Sequence, residues 1–544
     1  MPVLASRLDA RLPAYQQNRK DMLSMLSELD DLLDKAALGG GEKAIARHIA
    51  SGKLTMRERV ALLLDPDTPF LELSPLAGHL TLYKDGGGAM MGIGVVSGVE
   101  CVIFANDPTD MGGAMTPVSG AKIMYSLKVA RQNRMPFIQI VESSGGDLRR
   151  GAEGIDPQLA LKAELSHFGD SGHIFYAITE LSKLGIPTVS VVCGNSTAGG
   201  AYMPGLSEYN IFVKGGAQVF LAGPPLLKVA TGEVASAEEL GGAEMHATRS
   251  GLCDYLAENE TEGMGMARDV IHHLNWDKKG YGPRQPSRSP VHDTEELLGI
   301  VPRDLKAAVD IREVIARVVD GSEFEEFKPV YAPTMVCGWA HIHGYPVGIL
   351  GNNGPIFPQT AEKSTQFITL CNARHIPLIF LHNITGYMVG KQYEEAGIVK
   401  KGSQMINAVS NSTVPHLSVI IGASYGAGNY GMSGRSFDTR FLFLWPTAKI
   451  AVMGPKQIAG VMSIVRRGQA VRAGQVVDEE AEAKIVAATE AIQEYTSLAK
   501  YATGRMRDDG IIDPRDTRDA LGMALSACHS NEVKGTDNYG VFRF

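Results

Sequence analysis

The chain repeats itself, and this restricts the fold more than any other feature of its 544 residues. "PTVSVVCGNSTAGGAYMPG" from Pro187 aligns with "PHLSVIIGASYGAGNYGMS" from Pro415, at an offset of 228 residues from Gly194 to Gly422. Within the block Ser196 matches Ser424, Gly200 matches Gly428 and Tyr202 matches Tyr430. Three further pairs keep the same order: "GVECVIFAND" from Gly98 with "GYPVGILGNN" from Gly344, "MPFIQIVESSGG" from Met135 with "IPLIFLHNITGY" from Ile376, and "VFLAGPP" from Val219 with "IAVMGPK" from Ile450. A solenoid repeats every 20–50 residues or so, so this period belongs to whole domains. Short β-rich apolar runs alternate with helical segments and glycine loops, which reads as α/β.

The charged, Pro-, Gly- and Ser-rich stretch "NWDKKGYGPRQPSRSPVHDTEE" (275–296) is the best linker candidate. The expected organisation is therefore a helical segment over 1–38, a first domain over 39–280, a linker over 281–300 and a second domain over 301–544. In the first of these, Met22, Leu26, Leu29 and Leu33 recur at helical spacing and "GGG" at 39–41 stops the helix.

Each repeated block has the form strand, glycine loop, helix start. A helix start carries backbone N–H groups with no acceptor in the helix, and the macrodipole adds positive potential there. Small residues let a ligand oxygen approach those groups, so each block is a candidate oxyanion hole. The expected donors lie in Ala198-Gly199-Gly200-Ala201 and in Gly426-Ala427-Gly428-Asn429.

Two other motifs overlap the second block. Gly422, Ser424 and Gly426 fit G-x-S-x-G, the nucleophile elbow. The first copy reads "GNSTA" and loses it, and only His529 follows Ser424, whereas hydrolase order places the histidine after the serine. Loop hydrogen bonding is the plainer role for Ser196 and Ser424. Gly426, Gly428 and Gly431 fit G-x-G-x-x-G, but the window 445–454 has no acid to hold a ribose, so a dinucleotide site is not expected.

A formal net charge of −8 argues against nucleic acid as a main partner. The six scattered cysteines contain no CxxC, so no zinc ribbon and no other metal site is expected, and reduced core thiols suit a reducing compartment. No secretory signal and no membrane-spanning apolar run is visible, and the expected location is the cytoplasm, or the mitochondrial matrix if a transit peptide has been removed.

"STAGGAYMP", "FLAGPPLLKVATGE" and "SAEELGGAEMH" in the first half, with "GNNGPIF", "NITGYMVGKQYEEAGI" and "YGAGNYGMSGR" in the second, resemble the β, or carboxyltransferase, subunit of biotin-dependent acyl-CoA carboxylases. The second-half motifs resemble the methylcrotonyl-CoA and geranyl-CoA carboxylase branch. The resemblance implies two tandem crotonase-like domains (the ClpP/crotonase superfold) related by internal duplication. It implies an active site between the N domain of one subunit and the C domain of another, commonly in a hexamer. Gly199 and Gly200 are then expected to hold the enolate oxygen of an acyl-CoA thioester, and Ala427 and Gly428 the ureido oxygen of biotin. Ala198, Ala201, Gly145, Gly146 and Lys122 fall on the acyl-CoA side, and Gly426, Asn383, Thr385 and Tyr387 on the biotin side. Loop scaffolding is the alternative for Asn383, Thr385 and Tyr387. Lys122, Arg149 and Arg150 either meet CoA phosphates or form solvated surface, and His382 is expected to be a satisfied structural histidine.

The chemistry implied needs no side-chain base. Carboxybiotin releases CO2, the biotin oxyanion takes the acyl proton, and the enolate or dienolate attacks CO2. The chain has no Ala-Met-Lys-Met biotin-attachment sequence and no ATP-binding motif, so biotin is expected on a partner α subunit. Two segments depart from the branch pattern: 142–178, with a small insertion at "GDSGH", and 116–126, "TPVSGAKIMYS", which lacks an expected lysine pair. Both fall on the acyl-CoA half, and the expected acyl group is something other than 3-methylcrotonyl. A biotin-dependent decarboxylase component, an inactive assembly subunit and, more weakly, a serine hydrolase are the alternatives.

Overall fold

A computed structural model describes residues 1–146, 172–305 and 307–544. They divide into two compact units. The N unit comprises Leu32–Lys279 with His529–Asn531, and the C unit comprises Met1–Asp31, Gly280–Cys528 and Glu532–Phe544.

The N unit is built on an eight-stranded sheet with strands β1 (Leu71–Glu72), β2 (Ala89–Val96), β3 (Val99–Asn106), β4 (Phe137–Ser143), β5 (Thr188–Thr197), β6 (Tyr209–Val213), β7 (Gln218–Phe220) and β8 (Tyr255–Ala257). The order is β1-β2-β3-β4-β5-β6-β8, with β7 pairing β5 off this path. The β1/β2 and β2/β3 pairs are antiparallel and the rest are parallel. Every residue of β4 is buried. That is why "FIQIVES" carries no apolar–polar alternation: parallel strands are covered on both faces. The helix Glu260–His273 supplies part of the cover, with Met264, Ala267, Val270 and Ile271 in the same core cluster as Ile138, Ile140, Val189 and Val191.

The C unit carries a second eight-stranded sheet: β9 (Glu325–Phe327), β10 (Met335–Ile342), β11 (Tyr345–Asn352), β12 (Leu378–Ile384), β13 (His416–Tyr425), β14 (Phe441–Leu444), β15 (Lys449–Ala451) and β16 (Gly510–Ile511). Read from β9 its order is β9-β10-β11-β12-β13-β14-β16, with β15 pairing β13. Antiparallel and parallel pairs fall in the same places as in the first sheet. All ten residues of β13 are buried. Helices Pro358–Ala373 and Ile398–Asn411 pack Phe367, Ile368, Cys371, Met405, Ala408 and Val409 in one core cluster with Cys337 of β10, Leu350 of β11 and Leu378 and Phe380 of β12. The α/β class expected from the sequence is the class observed.

The helix Pro13–Ala37 buries Met22, Leu26 and Leu29, and Tyr15 near its start packs on Gly299. Residues 275–293 hold no helix or strand up to the 3₁₀ turn Thr294–Gly299. All six cysteines are buried free thiols. No helix among the described residues is long and apolar enough to cross a membrane.

One irregularity recurs in both sheets. Pairing of β4 with β5 slips between Val141 and Ser143, so Ser143 faces Ser196. Pairing of β12 with β13 slips between His382 and Ile384, so Ile384 faces Ser424. Each slip lies just before a glycine block and brings the end of the neighbouring strand under it.

Candidate active site

In the N unit β5 ends at Thr197, and the 3₁₀ turn Ala198–Ala201 leads into the short helix Tyr202–Gly205. In the C unit β13 ends at Tyr425 and the helix Gly426–Gly431 begins at once. Each turn opens on a left-handed residue, Ala198 at φ 55° and Gly426 at φ 55°. The conformation is free for glycine and costs an L-residue about 1–2 kcal/mol. In the α-helical turn the N–H groups of Ala427 and Gly428 precede the first intrahelical acceptor. The 3₁₀ turn engages its N–H groups one residue sooner, because its bonds close three residues back.

A methyl group built on each glycine separates packing from open space. On Gly199 it meets nothing nearer than Phe175 at 3.5 Å, and on Gly200 nothing nearer than the Ser196 hydroxyl at 3.6 Å. The N unit's own packing therefore does not demand glycine at either position. On Gly428 the added carbon falls 2.8 Å from Ile384 Cγ1 and 3.1 Å from Gly386 Cα. On Gly431 it falls 2.5 Å from the Tyr387 hydroxyl, and on Gly422 2.5 Å from Asn383 Oδ1. Gly428 is needed for close approach to the Gly386 backbone whatever binds there, whereas at Gly431 and Gly422 the near atom is the tip of a side chain.

A loop from the neighbouring strand supports each turn. Gly145 (φ 93°) lies against Thr197, where a methyl group would be 3.3 Å from the Thr197 carbonyl oxygen, and its own carbonyl accepts from Met115 N at 2.8 Å. Gly146 beyond it is exposed. Gly386, beside Gly428, accepts likewise from Ile356 N at 3.1 Å. Ala198, Gly199 and Ala427 are exposed, Gly200 and Gly426 half-buried, Ala201 and Gly428 buried. Thr385 is exposed and Asn383 half-buried beside Gly422. The turns and their loops thus lie together within each unit, as the sequence blocks imply.

One expected contact fails. Lys122 neither meets phosphate nor is solvated. It is 1% exposed, and its ammonium donates to the carbonyls of Gly86 (2.8 Å) and Ala89 (2.7 Å). Burial pushes its pKa down to about 8. Lys363 does the same work in the C unit, donating to the carbonyls of Lys328, Tyr331 and Met335 at 2.8–3.0 Å. Both ammonium groups brace the start of a strand, β2 and β10. Tyr387 has the contacts of its scaffolding alternative. Its ring packs on Gly402, and its hydroxyl lies over Gly431 and 3.9 Å from Met405 Sδ, so the side chain is core. Burial raises its phenol pKa. Arg149 and Arg150 lie outside the described residues, as does most of the divergent segment 142–178; its last part begins the helix His173–Lys183.

Sequence order hides two arrangements. The slip before Ile384 sets His382 Nδ1 3.0 Å from Ser424 Oγ, so a histidine does pair with the G-x-S-x-G serine, from upstream. Both residues are 0% exposed, and Asn429 Nδ2 donates to the same Oγ at 2.8 Å. Ser424 is therefore unreachable as a nucleophile, a stronger objection to a hydrolase than chain order. The second is a charge cluster in the N unit. Arg59, 0% exposed, donates to Glu142 (2.7 Å) and Glu260 (2.6 Å), and Lys53 also pairs with Glu142. Glu142 fills the space beside Gly194 that Asn383 fills beside Gly422. Only the burial of Arg59 marks this cluster, and "TMRERV" gives no sign of it.

The described residues hold two strand-to-turn junctions with backbone donors at the turn, and the serine at each, Ser196 and Ser424, is 0% exposed. Backbone donors at a helix start are groups that can stabilise an oxyanion. A family model described as the carboxyl transferase domain matches residues 47–540. The chain is 53% identical over 542 residues to a probable biotin-dependent acyl-coenzyme A carboxylase beta2 subunit of Mycobacterium tuberculosis, covering 99% of this chain and 100% of that one. It is 44% identical to a probable mitochondrial methylcrotonoyl-CoA carboxylase beta chain of Drosophila melanogaster, covering 99% and 95%. The crystal structure of the P. aeruginosa geranyl-CoA carboxylase beta subunit superposes with a TM-score of 0.88 at 42% identity, covering 100% of both chains. The chain belongs to the carboxyl transferase domain family, as a carboxyltransferase subunit similar to methylcrotonyl- and geranyl-CoA carboxylase beta chains.

Proposed function

We propose that this chain moves CO2 from carboxybiotin, carried on a biotinylated α subunit, to an acyl- or enoyl-CoA, with the two junctions dividing the work. The observation that carries this reading is the open space beside Gly199 and Gly200, where glycine is kept although packing does not require it. The N unit is the acyl-CoA side and the C unit the biotin side, two crotonase-like copies of one domain. The matching strand orders and matching slips support that reading.

The Gly199 and Gly200 N–H groups hold the thioester oxygen and favour its enolate, since donors fixed before the reaction need no reorganisation as charge develops. Gly145 and Gly146 shape the wall beside them. The Ala427 and Gly428 N–H groups hold the ureido oxygen of biotin. Biotin, when bound, supplies the activated carboxyl group and the oxyanion that accepts the substrate proton. Gly426 and the loop of Asn383 and Thr385 flank that oxygen, and Ala427 is exposed to receive it. The acyl group is other than 3-methylcrotonyl, because the sequence departs from the branch on the acyl-CoA side alone. Assembly as a hexamer follows the family.

The test is incorporation of labelled bicarbonate into a panel of acyl-CoAs by the chain with a biotinylated α subunit and ATP. Incorporation that depends on acyl-CoA supports the reading. Incorporation without acyl-CoA, or net loss of CO2 from carboxylated acyl-CoAs only, overturns it. 3-Methylcrotonyl-CoA as best substrate by a wide margin overturns the assignment of the acyl group.

A further inference from the structure

The two junctions differ in what lies beneath the turn. In the N unit the positions are Val141 and Ala201, and the Ser196 hydroxyl donates to the Gly200 carbonyl at 2.8 Å. In the C unit the same positions are His382 and Asn429, and Ser424 is held between them. Asn429 Nδ2 can only donate, so it fills an acceptor site of Ser424 Oγ. Ser424 Oγ and His382 Nδ1 share the second hydrogen bond, in which the neutral ring either accepts or donates according to its tautomer. Burial holds the His382 pKa at about 3, which keeps the ring neutral.

The placement of these bonds is specific. Ser424 precedes the turn and Asn429 follows Gly428, so one hydrogen bond spans both candidate donors. The second ties that span to β12. A turn that opens Gly-Ala-Gly has few side chains to fix it and much backbone freedom to lose. In the N unit Ala198 replaces the first glycine and one hydroxyl suffices.

We propose that the buried His382 and Ser424 and the half-buried Asn429 form a relay that positions the Ala427 and Gly428 N–H groups. The proposal rests on the reading that these groups hold biotin. The three are positioning residues, since their polar atoms engage one another beside the turn, and their loss weakens the biotin side selectively.

The assay is carboxyl transfer from a carboxylated acyl-CoA to free biotin, with kcat and both KM values measured. Asn429→Ala removes one half-buried amide, and Asn429→Asp keeps its shape but cannot donate to Ser424. Each is expected to lower kcat/KM for free biotin about fivefold to tenfold, the worth of one lost hydrogen bond. The acyl-CoA KM should stay within about twofold, less than one such bond. The double variant His382→Val/Asn429→Ala installs the N unit's pair and frees the Ser424 hydroxyl to donate to the Gly428 carbonyl, as Ser196 does to Gly200. It is expected to regain part of the biotin-side loss. Should Asn429→Ala not fold, Asn429→Asp decides on the same readings. Biotin-side constants that do not move, losses equal on both substrates, or a double variant worse than Asn429→Ala overturn the relay. Wild-type protein that transfers nothing to biotin overturns the proposed function and the relay with it. Active wild type with an indifferent Asn429→Asp overturns the relay alone.

Discussion

The junctions at Ala198 and Gly426 follow equivalent strands, open on a left-handed residue and share a slipped neighbour, yet they keep their glycines for different reasons. Gly199 and Gly200 border space that a methyl group could enter, whereas Gly428 is pressed on Ile384 and Gly386. The N-unit turn is open and lightly held. The C-unit turn is tight and held by a polar relay. One backbone device thus sits in two different surroundings, so a repeated glycine carries no fixed meaning until its neighbours are known.

The sharpest way to break this comparison is to add the methyl groups. Gly199→Ala should leave thermal stability unchanged and lower acyl-CoA carboxylation about 10²-fold, because the substrate and not the protein meets the new carbon. Gly428→Ala should instead lower stability by about 1–3 kcal/mol from overpacking. The reverse pattern in melting temperatures would end the distinction.

The braces should behave alike. Lys122→Met and Lys363→Met each orphan buried backbone carbonyls, and each should cost about 1–3 kcal/mol in denaturant unfolding. A large cost at one position and none at the other would mean that the two units do not share this device.

Titration separates the units next. The C unit buries His382 and His416, both with pKa pushed down to about 3 by burial, where the N unit has Val141 and Thr188. The folded pKa lies below the unfolded value, so the unfolded state binds more protons and stability falls as pH drops below about 6.5. Asp508 works against this, since burial first of all raises its pKa to about 7. Its contribution is full below about 4 and is lost as pH rises through about 7. Asp508→Asn should therefore gain stability over wild type from pH 5 to 8. In that background the histidines act unopposed, each costing about 2 kcal/mol by pH 5. Hydrogen exchange should then quicken in the C unit more than in the N unit. Equal acid response of both sheets would contradict the assignment. The smallest effect is at the strained alanine: Ala198→Gly should change stability by less than about 1 kcal/mol, with relief of φ strain offset by unfolded-state entropy, and differential scanning calorimetry can measure it.

Much of this was legible in the sequence. Buried parallel strands write themselves as apolar runs, and the repeat of Pro187–Gly205 at Pro415–Ser433 located both junctions. Which partner a side chain finds across strands was not legible. Lys122 reads as a surface charge because nothing local reports that the carbonyls of Gly86 and Ala89 wait above it. The His382–Ser424 pair depends on a slip in strand pairing, which leaves no mark on either strand's composition. Tyr387 sits in a loop motif, and only the bare faces of Gly402 and Gly431 make room for its ring.

The division of labour is tested most directly by acyl-CoA binding, measured by titration calorimetry with wild type, Gly199→Ala and Asn429→Ala. The account predicts that Gly199→Ala weakens acyl-CoA binding at least about tenfold, or ~1.4 kcal/mol, while Asn429→Ala binds it as wild type does. Acyl-CoA binding that is lost with Asn429→Ala and kept with Gly199→Ala would contradict it.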